Sequence, residues 1–536
     1  MATSIDSRHQ RASLWPLLGI VALAAALRLF VIDRDALWLD EGYSWWDARQ
    51  SFASLWSLVP QCDPHPPLYF ALLHGWIALF GDGTIAIRAL SLLLGVATVV
   101  VVYLAGRELD AARGKSAGPF GIATLAALLF ALTPFQVYFS IEARPYALLC
   151  CGAALLTLGV LKMVGSCAGT APSESPVGDT RSARHGFLRR VSTRGWLLMV
   201  AGAVIVAWTN NTAVLLLGAV NAAFVGLWMF DRTTRKTIVP VLAAGAIVLL
   251  LWAPDLPLLF SQLREVSEDF WIPAPSLQGL TSELHYLVGL DSMAATWWMV
   301  LAMVIGLALI GGRVGWRYAV VVAALAILPV VFNVIISVFF KPILIARALI
   351  VATPAITLAL AALVVLVKPR ALRLGVAFGI IALHLSAAFA FVNADHVKEP
   401  WKTIVARLAS VAGDGTILVV PNEMALALMH EAQAETVKLR VRGVPADFPA
   451  TGLRARYPSG KCAPSVVGQD LAPLMASLRG ESEVVLLTRR NNTYDPGEAI
   501  ADALRVEGFH LQHDEVFQPG DLRVMRYARA RTAITQ

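Results

Sequence analysis

Two adjacent carboxylates, Asp40 and Glu41, stand directly after the first long apolar run of the chain, in the segment Leu-Trp-Leu-Asp-Glu-Gly at 37–42. Ionisable residues at the margin of a membrane span are costly and mark functional sites. A carboxylate placed there meets both water and lipid headgroups, and it can take a proton from a hydroxyl. Asp40 and Glu41 are therefore candidates for chemistry on a lipid-linked substrate, the structural alternative being a solvated helix cap.

Six basic side chains are expected on the same membrane face as this acidic pair. A planar guanidinium matches the oxygens of a phosphate, and the phosphate of a lipid would lie at this depth. Each basic residue taken alone could instead be a snorkelling interface residue. Together they predict a phosphate-binding face made of Arg28, His65, Arg88, Arg144, Lys341 and Arg347.

The composition indicates a polytopic membrane protein. Of the 536 residues, 57% are hydrophobic and only 15% are charged, whereas ordinary soluble domains carry about 25% charged residues. The net charge of +7 does not indicate nucleic-acid binding, because the basic residues form short clusters between apolar runs, as the positive-inside rule predicts. We therefore expect membrane lipids as surroundings and no nucleic-acid partner.

The apolar runs are long enough to suggest about eleven membrane spans, since one crossing takes about 20 residues. These runs lie near 14–32, 87–106, 118–139, 145–164, 196–209, 212–230, 238–253, 294–311, 317–340, 347–367 and 374–392.

The run Leu68–Phe80 is too short to cross. As a helix its 13 residues would reach about 20 Å against a hydrocarbon core of about 30 Å. If it stays on one side, the basic clusters after the second, fourth, sixth, eighth and tenth spans all share the side of Arg8 and Arg11. The positive-inside rule then places the N-terminus inside the cytoplasmic (inner) membrane and the C-terminal region outside. The Ser-, Gly-, Pro- and Arg-rich residues 166–193 are expected to form a flexible cytoplasmic loop.

The C-terminal region has the composition of a soluble α/β domain. The apolar runs at 416–421 and 484–488 predict buried strands, and 401–411 and 496–506 have helical periodicity. The sequence thus divides into a membrane domain over 1–393, with an outer loop at 33–86, and an extracytoplasmic α/β domain over 394–536. Neither a G-x-G-x-x-G nor a Walker-type loop is present, so a nucleotide site is not predicted.

Five sequence segments, in this order and spacing, resemble one family. They are Ala-Leu-Arg-Leu (26–29), Leu-Trp-Leu-Asp-Glu-Gly (37–42), Pro-His-Pro-Pro-Leu-Tyr-Phe (64–70), Arg-Ala-Leu-Ser-Leu-Leu-Leu-Gly (88–95) and Ser-Ile-Glu-Ala-Arg-Pro-Tyr-Ala-Leu (140–148). The pattern is similar to that of the C-type membrane glycosyltransferases related to the protein O-mannosyltransferases and the lipid A aminoarabinose transferases. Beyond residue 165 the resemblance rests on hydropathy, on the outer-loop segment 270–273 and on the trailing domain.

The resemblance implies a fold, a reaction and roles for individual residues. The fold is a polytopic α-helical membrane protein with about 11 to 13 transmembrane helices, periplasmic juxtamembrane helices and a C-terminal soluble α/β domain. The reaction is inverting transfer of a sugar from a polyprenyl-phosphate donor to a glycan, lipid or protein acceptor. Asp40 would be the general base with Glu41 assisting, and His65 would lie near the lipid phosphate. The family has an acid after the arginine equivalent to Arg144, where this chain has Tyr146, so Glu142 becomes the candidate for the second acidic role.

The sequence does not decide whether the chain binds a metal or contains a disulfide. Asp40, Asp63, His65 and His285 could supply oxygen and nitrogen ligands, but no spacing among them is diagnostic, so the cofactor stays unknown. Among the five cysteines, only Cys62 and Cys462 lie in exported polar segments. The predicted topology therefore allows a disulfide between them.

Two other functions remain possible at this point. A transporter or flippase of lipid-linked sugars would carry charges at mid-membrane, whereas the mid-span positions here are almost all apolar. A non-catalytic envelope assembly protein would keep the helices but tolerate loss of Asp40. The sequence identifies neither the sugar nor the acceptor.

Overall fold

The computed structural model describes residues 14–116, 118–168, 192–265, 272, 274–288, 292–394, 398–413, 415–457, 462–490 and 493–529. Most of the expected cytoplasmic loop at 166–193 lies outside these residues, as does the outer-loop segment 270–273 apart from Ile272.

The described chain is mainly helical. Its first eleven α-helices are α1 Trp15–Val31, α2 Leu39–Arg49, α3 Ser54–Ser57, α4 Val59–Cys62, α5 Leu68–Phe80, α6 Thr84–Ala112, α7 Ile122–Leu132, α8 Pro134–Ser140, α9 Tyr146–Ala168, α10 Thr193–Ala207 and α11 Val214–Phe230. The others are α12 Ile238–Trp252, α13 Leu256–Glu265, α14 Leu277–Val288, α15 Met293–Arg313, α16 Trp316–Phe339, α17 Thr353–Leu366, α18 Arg370–Asn393, α19 Trp401–Ala412, α20 Met424–Ala434, α21 Gly468–Ser477 and α22 Ala499–Val506. The strands are β1 Thr416–Val420, β2 Arg440–Gly443, β3 Glu483–Arg489, β4 Phe509–Phe517 and β5 Leu522–Arg529.

The chain separates into two compact units. The first, here the membrane unit, comprises Met1–Val31, Ala89–Leu259 and Ile272–Asn393. The second, here the sheet unit, comprises Ile32–Arg88, Phe260–Trp271 and Ala394–Gln536. The sequence-based division placed the outer loop 33–86 with the membrane domain, whereas these residues cluster with the C-terminal region.

The helix lengths agree with a polytopic membrane protein. Among the described residues, 7 helices are long and apolar enough to cross a membrane, or 8 if the bent pair formed by α7 and α8 counts as one span. The remaining three predicted spans correspond to α1, α10 and α11, which have 17, 15 and 17 residues. α5 matches the predicted short helix at Leu68–Phe80 in both bounds.

A proline breaks the pair α7 and α8. The two helices meet at Thr133–Pro134 with a bend of 65°, because proline has no N–H for the helical ladder and its ring clashes with the preceding turn. A second proline, Pro145, follows the irregular turn 141–144, and the residue before a proline is disfavoured in helical conformation. These two breaks hold Glu142 and Arg144 in a non-helical turn between α8 and α9.

The sheet unit contains a five-stranded sheet of order β2-β1-β3-β5-β4. β1 pairs in parallel with β2 and β3, while β5 pairs antiparallel with β3 and β4. Alternate residues of β1 face two separate apolar cores: Ile417 and Val419 pack with α19 and α20, and Leu418 and Val420 pack with α21 and α22. A parallel strand covered on both faces is apolar at every position, and the run at 416–421 therefore predicted this strand correctly.

Candidate functional site

Glu41 and Arg88 form a fully buried ion pair in the sheet unit. Arg88 Nε lies 2.8 Å from Glu41 Oε1 and Arg88 Nη2 lies 2.6 Å from Glu41 Oε2. Arg88 also donates to the carbonyl oxygens of Ile32 and Asp35, both at 2.7 Å, and of Ala36 at 2.9 Å. A guanidinium has five N–H donors, so the protein itself uses the full donor capacity of Arg88. This geometry differs from the phosphate-binding role that the sequence predicted for Arg88.

A second cation completes the shell of Glu41. Lys398 Nζ donates to Glu41 Oε2 at 2.9 Å, and both side chains are buried. The next residue, Glu399, accepts the Leu39 amide at 3.1 Å and the Trp401 indole N–H at 2.8 Å. The Leu39 amide belongs to the first turn of α2, where backbone donors lack helical partners. The segment 398–399 therefore fixes the start of α2, which carries Asp40.

Asp40 lies in this fixed first turn and is 7% exposed. The positive end of the helix dipole at this position favours the ionised carboxylate. Lys398 and Glu399 were not predicted as site residues. Their signal in the sequence is a basic and an acidic residue side by side, just before the helix at Trp401–Ala412.

Tyr43, one turn further along α2, reaches the C-terminal part of the sheet unit. Its hydroxyl donates to Glu423 Oε2, and its ring meets Phe448 edge-on at 5.3 Å between centroids. Burial first, and then the Glu423 carboxylate, raise the pKa of Tyr43 well above its usual value. Tyr43 is therefore a neutral hydrogen-bond donor at physiological pH and anchors α2 to the segment between β1 and α20.

His65 is held by Asp63 in the loop before α5. Asp63 Oδ1 lies 2.6 Å from His65 Nδ1 and accepts the His65 backbone N–H at 2.9 Å. A carboxylate on Nδ1 fixes the tautomer and the orientation of the ring. Asp63 follows Cys62, which is joined to Cys462 in a disulfide with a Cα–Cα distance of 4.8 Å. The disulfide that the predicted topology allowed is thus present, and it fastens the His65 loop to the C-terminal part of the same unit.

In the membrane unit, Arg28 is completely buried on α1. Its Nη1 donates to Ala24 O at 3.0 Å and to Ala131 O at 3.3 Å. Ala131 belongs to the last turn of α7, where carbonyls lose their helical partners at the Pro134 break. Within the described part of the chain, Arg28 Nε and Nη2 have no hydrogen-bond partner.

Gly95 permits this arrangement. A Cβ at Gly95 would lie 2.1 Å from Ser140 Oγ and 3.4 Å from Arg28 Nε. The side chain of any other residue would therefore displace Ser140 at the end of α8.

A second cluster surrounds the turn 141–144. Glu142 and Arg144 are buried, and the Arg144 amide donates to Glu142 O at 2.8 Å. The guanidinium of Arg347 lies over the Tyr146 ring, 5.7 Å from its centroid. Desolvation raises the pKa of Tyr286 on α14, the Glu142 carboxylate adds to this shift, and Arg347 opposes it. The structure therefore brings Glu142, Arg347, Tyr146 and Tyr286 together.

Glu283 and Lys341 lie close in sequence to residues of this cluster. Glu283 on α14 accepts the amide of Ala346, the residue before Arg347. Lys341 follows α16, and burial lowers the pKa of its ammonium group. Glu283 and Tyr286 were not predicted as site residues. Their spacing of three residues on a short amphipathic helix was the available signal.

The predicted residues divide between the two units. The sheet unit contains Asp40, Glu41, His65 and Arg88, and the membrane unit contains Arg28, Glu142, Arg144, Lys341 and Arg347. Among the described residues, no group of three or more His, Cys, Asp or Glu side chains is placed to hold a metal ion. Of the four suggested ligands, Asp63 and His65 contact each other, whereas His285 Nδ1 lies 2.9 Å from Thr296 Oγ1 in the membrane unit.

Comparison with known proteins supports the family resemblance. Residues 64–167 match the model of the dolichyl-phosphate-mannose-protein mannosyltransferase family. No curated protein matches the sequence of the chain.

Among solved structures, ArnT from Cupriavidus metallidurans bound to undecaprenyl phosphate is similar with a TM-score of 0.60 at 14% identity, over 96% of this chain and 98% of that one. The Archaeoglobus fulgidus oligosaccharyltransferase tethered to an acceptor peptide is similar with a TM-score of 0.52 at 11% identity, over 88% of this chain and 69% of that one. The chain thus has the fold of the C-type membrane glycosyltransferases, and the predicted fold class is confirmed.

Proposed function

We propose that this chain, which shares the fold of the C-type membrane glycosyltransferases, transfers a sugar from a polyprenyl-phosphate donor to a hydroxyl of an envelope glycan, lipid or protein. The acceptor oxygen attacks the anomeric carbon, the bond from that carbon to the phosphate oxygen breaks, and the configuration inverts. The acceptor proton passes to Asp40, and the polyprenyl phosphate leaves. General-base assistance of this kind contributes about 10²- to 10⁴-fold to the rate.

The observation that carries this assignment is the buried shell around Glu41. Because Glu41 is committed to Arg88 and Lys398, we assign the chemistry of the acidic pair to its neighbour Asp40. Glu41 is then a positioning residue, which fixes the first turn of α2 through Arg88 and Lys398. Such preorganisation is what a catalytic carboxylate needs, since its geometry must be set before the reaction.

The donor phosphate would be held by four other cations of the predicted phosphate-binding face. Arg144 and Arg347 carry forks that match phosphate oxygens, and Lys341 and His65 add positive charge or hydrogen-bond donors. Glu142, whose charge helps to raise the pKa of Tyr286, would orient these cations and take the second acidic role. Arg88 and Arg28 are not assigned to the phosphate. Arg88 binds Glu41, and Arg28 donates to the Ala131 carbonyl at the end of α7, before Pro134.

The membrane orientation belongs to the same proposal. We place the N-terminus inside the cytoplasmic membrane and the sheet unit outside, where nucleotide sugars are not supplied. A lipid-borne donor fits that location and fits a sequence with no nucleotide-binding motif.

The test compares donors and variants in the purified enzyme. Polyprenyl-phosphate sugar should give glycan product, and nucleotide sugar alone should give none. Asp40→Asn should keep the thermal unfolding midpoint and lose about 10²- to 10⁴-fold in kcat. Arg347→Gln should raise the apparent KM for the lipid donor, and Arg347→Lys should restore part of it because the charge survives without the fork.

Arg49→Gln supplies the matched control. Arg49 is an exposed arginine of α2 paired with Asp82, so its loss should leave donor KM unchanged. Turnover with a nucleotide sugar in the absence of any polyprenyl phosphate would refute the mechanism, as would a wild-type rate in Asp40→Asn.

A further inference from the structure

A polar cavity of about 260 Å³ opens in the sheet unit at the carboxyl end of β3. Its apolar floor includes Leu486 and Met525, and its polar lining consists of Thr488, Arg489, Arg490, Asp495, Glu498 and Arg523. Ligands of α/β sheets bind in crevices outside the carboxyl ends of parallel strands, and β3 is parallel to β1. The cavity therefore occupies a position at which such sheets bind small molecules.

Two arginines of this cavity have donor capacity that the protein leaves unused. Arg489 Nη2 is bound by Glu399, but Arg489 Nε is buried and has no hydrogen-bond partner among the described residues. Arg490 is exposed, and its backbone amide donates to Asp521 O at 2.9 Å. Only one of the five N–H groups of Arg489 is used by Glu399, so its terminal nitrogens still have N–H groups that can donate to a ligand.

The third arginine is held rigidly at the opposite wall. Arg523 binds Asp514 through Nε at 2.8 Å and through Nη2 at 2.6 Å, and its Nη1 donates to Glu498 at 2.8 Å. Each Nη atom carries a second hydrogen, so Arg523 can still donate to a ligand while these contacts hold its position.

The two carboxylates of the lining suit hydroxyl groups. Asp495 is 8% exposed and its oxygens lie 3.4 Å from the Ile500 amide at the start of α22. Asp495 and Glu498 can accept hydrogen bonds from hydroxyls. Among the lining residues the three arginines outnumber these two carboxylates, and Glu399 and Asp514, which hold Arg489 and Arg523, lie outside the lining. The ligand that satisfies both sets of groups is an anion that also carries hydroxyls.

The size of the cavity limits the ligand to a small group. Pockets for drug-sized ligands measure about 300–1,000 Å³, so this cavity takes a unit no larger than a single sugar residue.

From these observations we propose that the cavity lined by Arg489, Arg490 and Arg523 binds one anionic sugar residue, bearing a carboxylate or a phosphate, of an envelope glycan. Recognition of the anion rests on the arginines alone, whereas the role of the ligand as part of the acceptor glycan rests on the proposed function.

The proposal is tested by direct binding to the full chain in detergent, without turnover. Isothermal titration uses glucuronic acid and glucose 6-phosphate as anionic probes, glucose as the neutral probe, and inorganic phosphate as the anion without a sugar. Three variants accompany the wild type: Arg490→Gln, Asp495→Asn and, as the control, Arg479→Gln, which is exposed in the same unit and does not line the cavity.

At least one anionic sugar should bind, and glucose and inorganic phosphate should bind at least tenfold more weakly. Arg490→Gln should weaken binding about tenfold, as expected for one charge-assisted hydrogen bond. Asp495→Asn should tighten it by removing a negative charge, and Arg479→Gln should leave it unchanged.

Equal binding of glucose and the anionic sugars would overturn the proposal, and so would equal loss in Arg490→Gln and Arg479→Gln. If inorganic phosphate binds as tightly as the sugars, the cavity recognises an anion and not a sugar, and the proposed ligand is wrong. Because these readouts involve no sugar transfer, an enzyme that binds the anionic sugar but fails to use a polyprenyl-phosphate donor would contradict the proposed function alone.

Discussion

Arg88 binds both carboxylate oxygens of Glu41, at 2.8 and 2.6 Å, in surroundings that leave the two side chains 1% and 0% exposed. Buried ion pairs of this kind are weak evidence for stability as pairs, but breaking one by removing a single partner is strongly destabilising. The contacts of Arg88 therefore indicate a structural role, in contrast to the arginines proposed to bind the donor.

Arg88→Gln should therefore lower stability and not donor affinity. The loss should be about 3 kcal/mol, at the lower end for a broken buried pair because Lys398 still faces Glu41. Thermal unfolding in detergent measures this loss against Arg49→Gln, the exposed arginine of α2, which should unfold at the wild-type temperature. An Arg88→Gln enzyme with normal stability and a raised donor KM would show that Arg88 binds the donor phosphate, as the sequence predicted.

The disulfide between Cys62 and Cys462 should stabilise the sheet unit. Its sequence separation of 400 residues implies a large loss of chain entropy in the unfolded state, and removing a native disulfide typically costs about 2–5 kcal/mol. Cys62→Ser and Cys462→Ser should each lower the unfolding temperature by the same amount.

The double Cys62→Ser/Cys462→Ser variant should unfold where the single variants do, because either substitution removes the same bond. A double variant that loses the sum of the two single losses would show that each cysteine contributes independently and that the bond is absent.

Structural features are predictable from the sequence when the interactions that determine them leave a pattern in neighbouring residues. The runs at 416–421 and 484–488 predict β1 and β3 because burial on both faces leaves a local apolar signature. The edge strand β4 is buried only at its two ends, Phe509 and Phe517, and includes the exposed His510 and Gln512. It therefore has no such signature and was not predicted.

The same limit explains the site. Asp40, Glu41 and Arg88 can be found by type and by position beside an apolar run. The Lys398 contact with Glu41 spans 357 residues of sequence, and no local pattern reports a contact of that range. The assignment of Arg88 to phosphate followed from the same cause, since the acceptors that use its donors become visible only in the folded chain.

Stability of the sheet unit should depend on pH through Asp495. Burial raises the pKa of this carboxyl from 3.8 to about 6, so the folded state favours the protonated form. The resulting stabilisation is complete below about pH 3.8 and is lost as the pH rises to about 6, an effect of about 2–3 kcal/mol.

Asp495→Asn should therefore raise the unfolding temperature at pH 8 and change it much less at pH 4.5. The control is Asp502→Asn, an exposed acid of α22 paired with Arg505, which should give no gain at pH 8. A gain for Asp495→Asn of equal size at both pH values would contradict the assigned cause.

The last prediction concerns the side of the membrane on which each segment lies. If α5 does not cross, Lys115 after the second predicted span and Gln512 in β4 lie on opposite faces, with Lys115 inside. Single cysteines at Lys115→Cys and Gln512→Cys can report this, because both native residues are exposed. The background should be low, since Cys150, Cys151 and Cys167 are buried and Cys62 is bonded to Cys462. A membrane-impermeant maleimide added to intact spheroplasts should label the cysteine at 512 at once and the cysteine at 115 only after permeabilisation. Labelling of the cysteine at 115 from the outside, with the cysteine at 512 labelled only after permeabilisation, would show that α5 spans the bilayer despite its 13 residues and that the orientation of every later span is reversed.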